Sequence, residues 1–128
     1  MANQLYPLAK EAFIGGDLAL DTDNIKSMLS RQTYNAGHQF LSDVSAAVAT
    51  SSNLATKTIT LGTFDSADIV HSSVPSGAQV DYIILYQDTG TASTSRLIAH
   101  IDTATGLPVT PDGTNITVEV NAGGWFSL

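Results

Sequence analysis

Apolar and polar residues alternate with a period of two in several short runs, separated by segments rich in Gly, Pro, Asn, Asp, Ser and Thr. The clearest stretch is Val80 to Pro111, VDYIILYQDTGTASTSRLIAHIDTATGLPVTP. Its two apolar runs, Val80–Tyr86 and Leu97–Ile101, flank a segment rich in Gly, Ser and Thr, which predicts a central β-hairpin. In the first run Tyr82, Ile84 and Tyr86 share one face and Ile83 and Leu85 the other, so this strand is expected to be covered on both sides. Between Arg96 and Asp102 the alternation is strict, with Leu97, Ala99 and Ile101 facing in and Arg96, Ile98, His100 and Asp102 facing out.

A helical period occurs between Asn3 and Ile14, where Leu5, Leu8, Ala9, Ala12 and Phe13 fall on one stripe. Pro7 is tolerated only in the first turn, and Gly15-Gly16 supplies the left-handed residue that ends such a helix. This helix is expected over about residues 3–14, docked on an end or edge of the sheet because a helix this short is marginal alone. A turn at Asp21-Thr22-Asp23-Asn24 leads into a strand over Ile25–Gln32. Thr33 to Asn53 reads as mostly irregular, with one helical turn within His38–Val44. Lys57–Phe64 reads as one strand with Ile59 and Leu61 on a common face, and Ile69–Val74 as a shorter one before Pro75-Ser76-Gly77. Pro111-Asp112-Gly113 predicts a turn. Ile116, Val118 and Val120 then alternate with Thr117 and Glu119, Gly123-Gly124 breaks that strand, and Trp125–Leu128 returns as a last short one. The fold class is therefore mainly β: an antiparallel sandwich or barrel of about six to eight short strands with one N-terminal amphipathic helix. It forms a single domain over residues 1–128, the sandwich from about residue 17 onward.

Composition narrows the partners. Twelve Asp+Glu against five Lys+Arg give a net charge of −7. That argues against a general nucleic-acid binder, which needs cations to displace counterions from phosphate, and against an anionic membrane surface. Charged residues make up 13% of the chain, about half the usual share, and the polar surface falls instead to 28 Ser and Thr. The absence of cysteine excludes disulfides and thiolate metal sites. Met1–Lys10 lacks the basic start and apolar run of a signal peptide, and no run approaches a membrane span.

Candidate chemistry is sparse. Asp-Thr occurs at Asp21, Asp88 and Asp102, the last two directly after apolar runs. There an Asp side chain accepts from the backbone N–H two residues on and closes a turn. Asp21-Thr22-Asp23 resembles the start of a calcium loop, but Ile25, Lys26 and Gln32 occupy positions that need an oxygen ligand, a glycine and a glutamate. His38, His71 and His100 have no metal-ligand spacing, and His100 with Asp102 reads as a surface pair. No serine sits in a nucleophile elbow, and Gly15-Gly16 follows a helix, where a phosphate loop would precede one. Asn115-Ile116-Thr117 fits the glycosylation sequon, a short motif that carries no weight alone. Trp125 and Phe126 read as core closers. No catalytic residue, cofactor or metal is expected, and the protein reads as a non-enzyme.

Several stretches resemble a family of small structural proteins of tailed-bacteriophage virions: Leu5–Phe13 (LYPLAKEAF), Asp21–Lys26 (DTDNIK), His38–Val44 (HQFLSDV), Val48–Thr58 (VATSSNLATKT) and Leu85–Pro111. They cover most of the chain in order, and the last is the most specific. The chain departs from that pattern after Lys26, where Ser27-Met28-Leu29-Ser30-Arg31 replaces a smooth apolar strand, and at its ending, Trp125–Leu128, which is shorter than the usual tail. The resemblance implies a virion component on the outer capsid surface, a capsid cement or decoration protein that braces the major capsid protein. It further implies a homo-oligomer, often a trimer, with no direct nucleic-acid or membrane contact. Contacts are expected at Tyr82, Ile84 and Tyr86, at Thr89, Thr91 and Arg96 around the Thr89–Ser95 loop, and at Leu5 and Phe13 of the N-terminal helix. A tail or head–tail connector component, and a carbohydrate-binding module on the particle surface, are the alternatives.

Overall fold

The computed structural model describes residues 4–45, 47–102, 107–120 and 124–127. Among them run β1 (Gln4–Leu5), α1 (Pro7–Gly15), β2 (Ile25–Ser30), β3 (Ala47–Thr50), β4 (Thr58–Thr60), β5 (Thr63–Asp65), β6 (Ile69–His71), β7 (Tyr82–Gln87), β8 (Leu97–Ile101), β9 (Ile116–Val118) and β10 (Phe126–Ser127). The protein is a mainly antiparallel, sandwich-like β fold with a single short N-terminal helix. The expected helix start at Asn3, the Gly123 half of the Gly123-Gly124 break and the Leu128 end of the last strand lie outside the described residues.

The β7–β8 hairpin lies at the heart of a five-stranded sheet ordered β1-β8-β7-β2-β3. Its partner β2 is the segment with the irregular pattern, and it pairs along its whole length, from Ile25 opposite Gln87 to Ser30 opposite Tyr82. Residues directly opposite share a face. One face therefore carries Met28, Tyr82, Ile84 and Tyr86, and the other Ser27, Leu29, Ile83 and Leu85. The serines of β2 are tolerated inside because each is bonded: the Ser27 N–H donates to Ser51 Oγ at 2.9 Å, and Ser30 Oγ accepts from the Gln32 N–H at 2.9 Å.

Both faces are covered by the chain itself. Residues 31–45, between β2 and β3, cross the Tyr82–Ile84–Tyr86 face to the far edge of β8. The Gln32 carbonyl accepts from His100 Nε2 at 2.8 Å, and the Tyr34 ring lies 5.3 Å from Tyr6 and 5.8 Å, edge-on, from His100. Beyond β1 on that edge, the Leu97 N–H donates to the Gln39 carbonyl and the Leu41 N–H to the Ser95 carbonyl. The expected helical turn is present at Leu41–Asp43, fixed by Asp43 Oδ2 accepting from the N–H groups of Gln39 and Phe40. Across the opposite face the β6–β9 pair brings His71 onto Ser27. A three-stranded sheet, β10-β5-β4, adds Phe64 and Trp125 to the core, with Trp125 Nε1 donating to Ser66 Oγ at 2.7 Å.

Six expectations need correction. Arg96–Asp102 has no outward face, since Leu97–Ile101 is buried throughout beneath β1 and residues 31–45. Leu5 belongs to a strand, paired with Ala99, and the helix begins only at Pro7. Thr33–Asn53 contains a strand, β3, whose alanines gave no strand signal. The strand from Ile69 ends at His71, short of the expected Val74, and Ile116–Val118 stops before Val120. Lys57–Phe64 is a hairpin: Leu61 (φ 50°) and Gly62 (φ 80°) are consecutive left-handed residues, the geometry of a tight two-residue turn.

Ile84 is fully buried at the sheet centre. Ile84→Ala is expected to lower the unfolding free energy by about 2–5 kcal/mol, read from urea denaturation at constant slope. A change within about 0.5 kcal/mol would contradict the enclosure of this face.

Candidate interaction surface

Helix α1 starts with Pro7 after an extended Tyr6 and ends at left-handed Gly16 (φ 84°), whose N–H reaches the Phe13 carbonyl at 3.3 Å. Ala9 and Ala12 are buried, small enough to let the helix sit close on its support. That orientation leaves Phe13 half-buried and Ile14, at the last turn, 89% exposed. The Phe13 ring meets Phe126 of β10 at 6.4 Å, and Phe126 meets Phe64 of β5 at 5.6 Å. Three rings thus tie the helix to the small sheet.

Beside the rings stands the β4–β5 hairpin. Strand β4 is an edge, all three of its residues are exposed, and Ile59 on it is 52% exposed. Leu61 at the tip is 99% exposed. Two shallow depressions flank Phe13: one of about 430 Å³ lined by Leu5, Lys10, Phe13, Ile14 and Ser127, the other of about 210 Å³ lined among others by Leu20, Asp21, Ile59, Gly62 and Phe126. Three of the four exposed large apolar residues among those described, Ile14, Ile59 and Leu61, therefore gather in one region, the arrangement of a contact surface, while the fourth, Val70, lies on β6.

Of the residues expected to form contacts, the structure brings Leu5 and Phe13 together here. Ile84 and Tyr86 are buried inside the chain, and Tyr82 is half-buried with its ring 4.5 Å from His100. The aromatic face of β7 is core, because residues 31–45 close over it. Thr89, Thr91 and Arg96 lie at a separate loop. There Thr89 Oγ1 meets Thr94 Oγ1 at 2.6 Å, Ser95 Oγ donates to the Thr91 carbonyl at 2.9 Å, and Thr91 itself is exposed. Asp88 closes this loop as expected, accepting from the Gly90 N–H at 3.0 Å, and also pairs with Lys26 Nζ at 2.9 Å. The bond to Lys26 holds the Asp88 carboxyl below its usual value. Arg96 stacks 5.4 Å from the centre of the Phe40 ring and reaches Asp17 at 3.7 Å. Sequence reading missed Lys10, Ile14, Ile59, Leu61 and Phe126 as a group; the Leu61-Gly62 pair between two short Thr-flanked runs was the available signal.

The remaining polar groups are internal. Ser27 Oγ and His71 Nε2 share a hydrogen bond of 3.1 Å, a nucleophile and a base by type, but both side chains are fully buried. Burial pushes His71 down to about 4. His100, expected at the surface, is buried too; desolvation lowers its pKa against the opposing effects of the Gln32 carbonyl and Asp102. Among the described residues no three His, Asp or Glu side chains converge as metal ligands, and no helix is long and apolar enough to cross a membrane. Compared with known families and with curated proteins, the chain matches no family model and no curated sequence.

The buried histidines give stability a pH dependence. A folded pKa below the unfolded 6.5 means that the unfolded chain binds the extra proton between about pH 6.5 and 4, so stability falls as the pH drops through that window. His71 contributes roughly 3 kcal/mol at full extent, with His100 acting in the same direction. The depressed carboxyls of Asp43, Asp88 and Asp112 lose their contribution only below their usual 3.8. Urea midpoints are expected to fall from pH 7 to pH 4.5, and His71→Gln to flatten that fall. An equal slope in both proteins would remove His71 as its source.

Proposed function

We propose that the protein is a structural component of a tailed-bacteriophage virion, a capsid cement protein that binds the assembled lattice of the major capsid protein from outside. The observation that carries this reading is where the phage-like segments fall. Far apart in sequence, they meet around β8: Leu5 pairs with Ala99, the Asp88 N–H donates to the Asn24 carbonyl, and Leu41 and Leu97 bond across to Ser95 and Gln39. The Leu54 N–H donates to the Ile25 carbonyl at 2.7 Å, which joins the Val48–Thr58 segment to the same body. The described parts of these segments thus join in one body, with the hydroxyl-lined Thr89–Ser95 loop among them.

In this reading the loop, with Thr89, Thr91 and Arg96, faces the capsid. Short hydroxyl side chains supply hydrogen bonds to a shell whose surface they need not match in charge, and the net charge of −7 keeps the protein off the DNA side. The work is done by mass action. A subunit that binds only the assembled lattice stabilises it by the free energy of binding, and repetition over many sites makes a modest single-site affinity sufficient. The reading assigns no catalytic step.

Imaging of purified virions is expected to show the protein on the head lattice in hundreds of copies, the order set by one site per repeating capsid unit. Thr91→Trp is expected to lower that copy number without moving the unfolding midpoint, since the side chain is exposed. Density confined to the tail, or absence from the particle, would overturn the proposal.

A further inference from the structure

Neither its turn nor the core accounts for Leu61. A tight turn with two left-handed residues favours Asn before Gly, and an apolar side chain exposed at 99% gains nothing from its own chain. Ile59 and Ile14 stand exposed on the same end of the molecule, on either side of Phe13, which lines both depressions. Charge is arranged across this surface as well. Asp21, exposed, lies at the hairpin side, and Lys10, exposed, at the helix side.

Lys10 is singular in another respect. Lys26 holds Asp88, Arg96 reaches Asp17, Arg31 donates to the Ala78 and Gln79 carbonyls, and Lys57 donates to the Asp23 carbonyl. Among the described residues Lys10 is the one cation without a hydrogen bond or ion pair, and it sits at the rim of an apolar depression. The fitting occupant is an apolar knob with an acid nearby. The same chain presents both, as Leu61 and Asp21, on the same face.

We propose that this surface binds a second copy of the chain about a two-fold axis. The Leu61 tip of each protomer enters the depression lined by Leu5, Phe13 and Ile14 of the other, and Asp21 of each faces Lys10 of the other. Knob and depression lie on one face, so a contact of that face with its own copy is isologous and closes at two subunits. Copies of a chain with net charge −7 repel one another, and Lys10 of each protomer facing Asp21 of the other offsets part of that repulsion at this contact. The inference does not rest on the virion reading and survives its failure.

The test is sedimentation equilibrium of the full chain at pH 7, from micromolar to about 1 mM. The expected result is a species of twice the 13.4 kDa chain mass at the upper concentrations. Leu61→Asn is expected to raise the dissociation constant at least about tenfold, since it withdraws a buried leucine from each half of the contact. At concentrations where both proteins are monomeric, that variant unfolds no earlier than the parent, because Asn-Gly suits the turn. Lys10→Glu weakens the dimer, and Lys10→Glu combined with Asp21→Lys restores it. A monomer at every concentration, a trimer, or a dimer indifferent to Leu61→Asn would each overturn the two-fold contact.

Discussion

Strand β7 carries large apolar side chains on both faces, and the architecture follows from the need to cover both. A two-sided apolar strand is stable only in the middle of a sheet with a layer on each side. The chain meets that need with unlike materials: a paired β6–β9 ribbon with its flanking segments on one face, and the irregular residues 31–45 on the other. An irregular segment over a core must find partners for its own backbone. Residues 39–41 do so by bonding to the edge of β8 that β1 leaves open, and Gln32 by accepting from His100. Because those partners are specific, the covering segment is held in one place, and the buried histidine is part of its attachment.

Polar groups inside the sandwich follow the same logic. Ser27, Ser51, His71 and Ser66 are buried at layer contacts, and each has a partner on another segment or on its own backbone. They make the packing of one layer on another directional, which apolar contact alone does not. Keeping His71 neutral is the accompanying condition, and it ties the integrity of that contact to pH. The acidic side chains have a different part: Asp43, Asp88 and Asp112 accept from nearby backbone N–H groups and shape turns.

Two surface regions of the molecule differ in character. Around Thr89–Ser95 hydroxyl groups bond to one another and to the backbone in a loop that itself carries no charged side chain. Around Phe13 the small sheet and the helix leave apolar side chains in solvent, with one cation and one acid beside them. A protein proposed to sit on a lattice and to pair with itself needs two such surfaces. Their chemical difference keeps each from competing for the other's partner.

Strict alternation and turn residues determined the strand-rich class, the β7–β8 hairpin, the helix and its glycine stop, the closing of a loop by Asp88 and the turn at Pro111-Asp112-Gly113, because these depend on local periodicity and on bonds between near neighbours. Burial of Ile98, His100, Ile84 and Tyr86 was decided by tertiary structure, since a period of two says which residues share a face but not what covers it. So was the place of β2: its serines break the apolar pattern, and only the presence of His71 and Ser51, 44 and 24 residues away, makes them acceptable inside. The same holds for the apolar end. Leu5, Lys10, Phe13, Ile14, Ile59 and Leu61 are ordinary residues in sequence, and they become one surface only because the helix turns back on β8 and a leucine occupies the tip of a turn. The sequence sets what each segment can form; what each segment faces is fixed by long-range pairing, which no local pattern encodes.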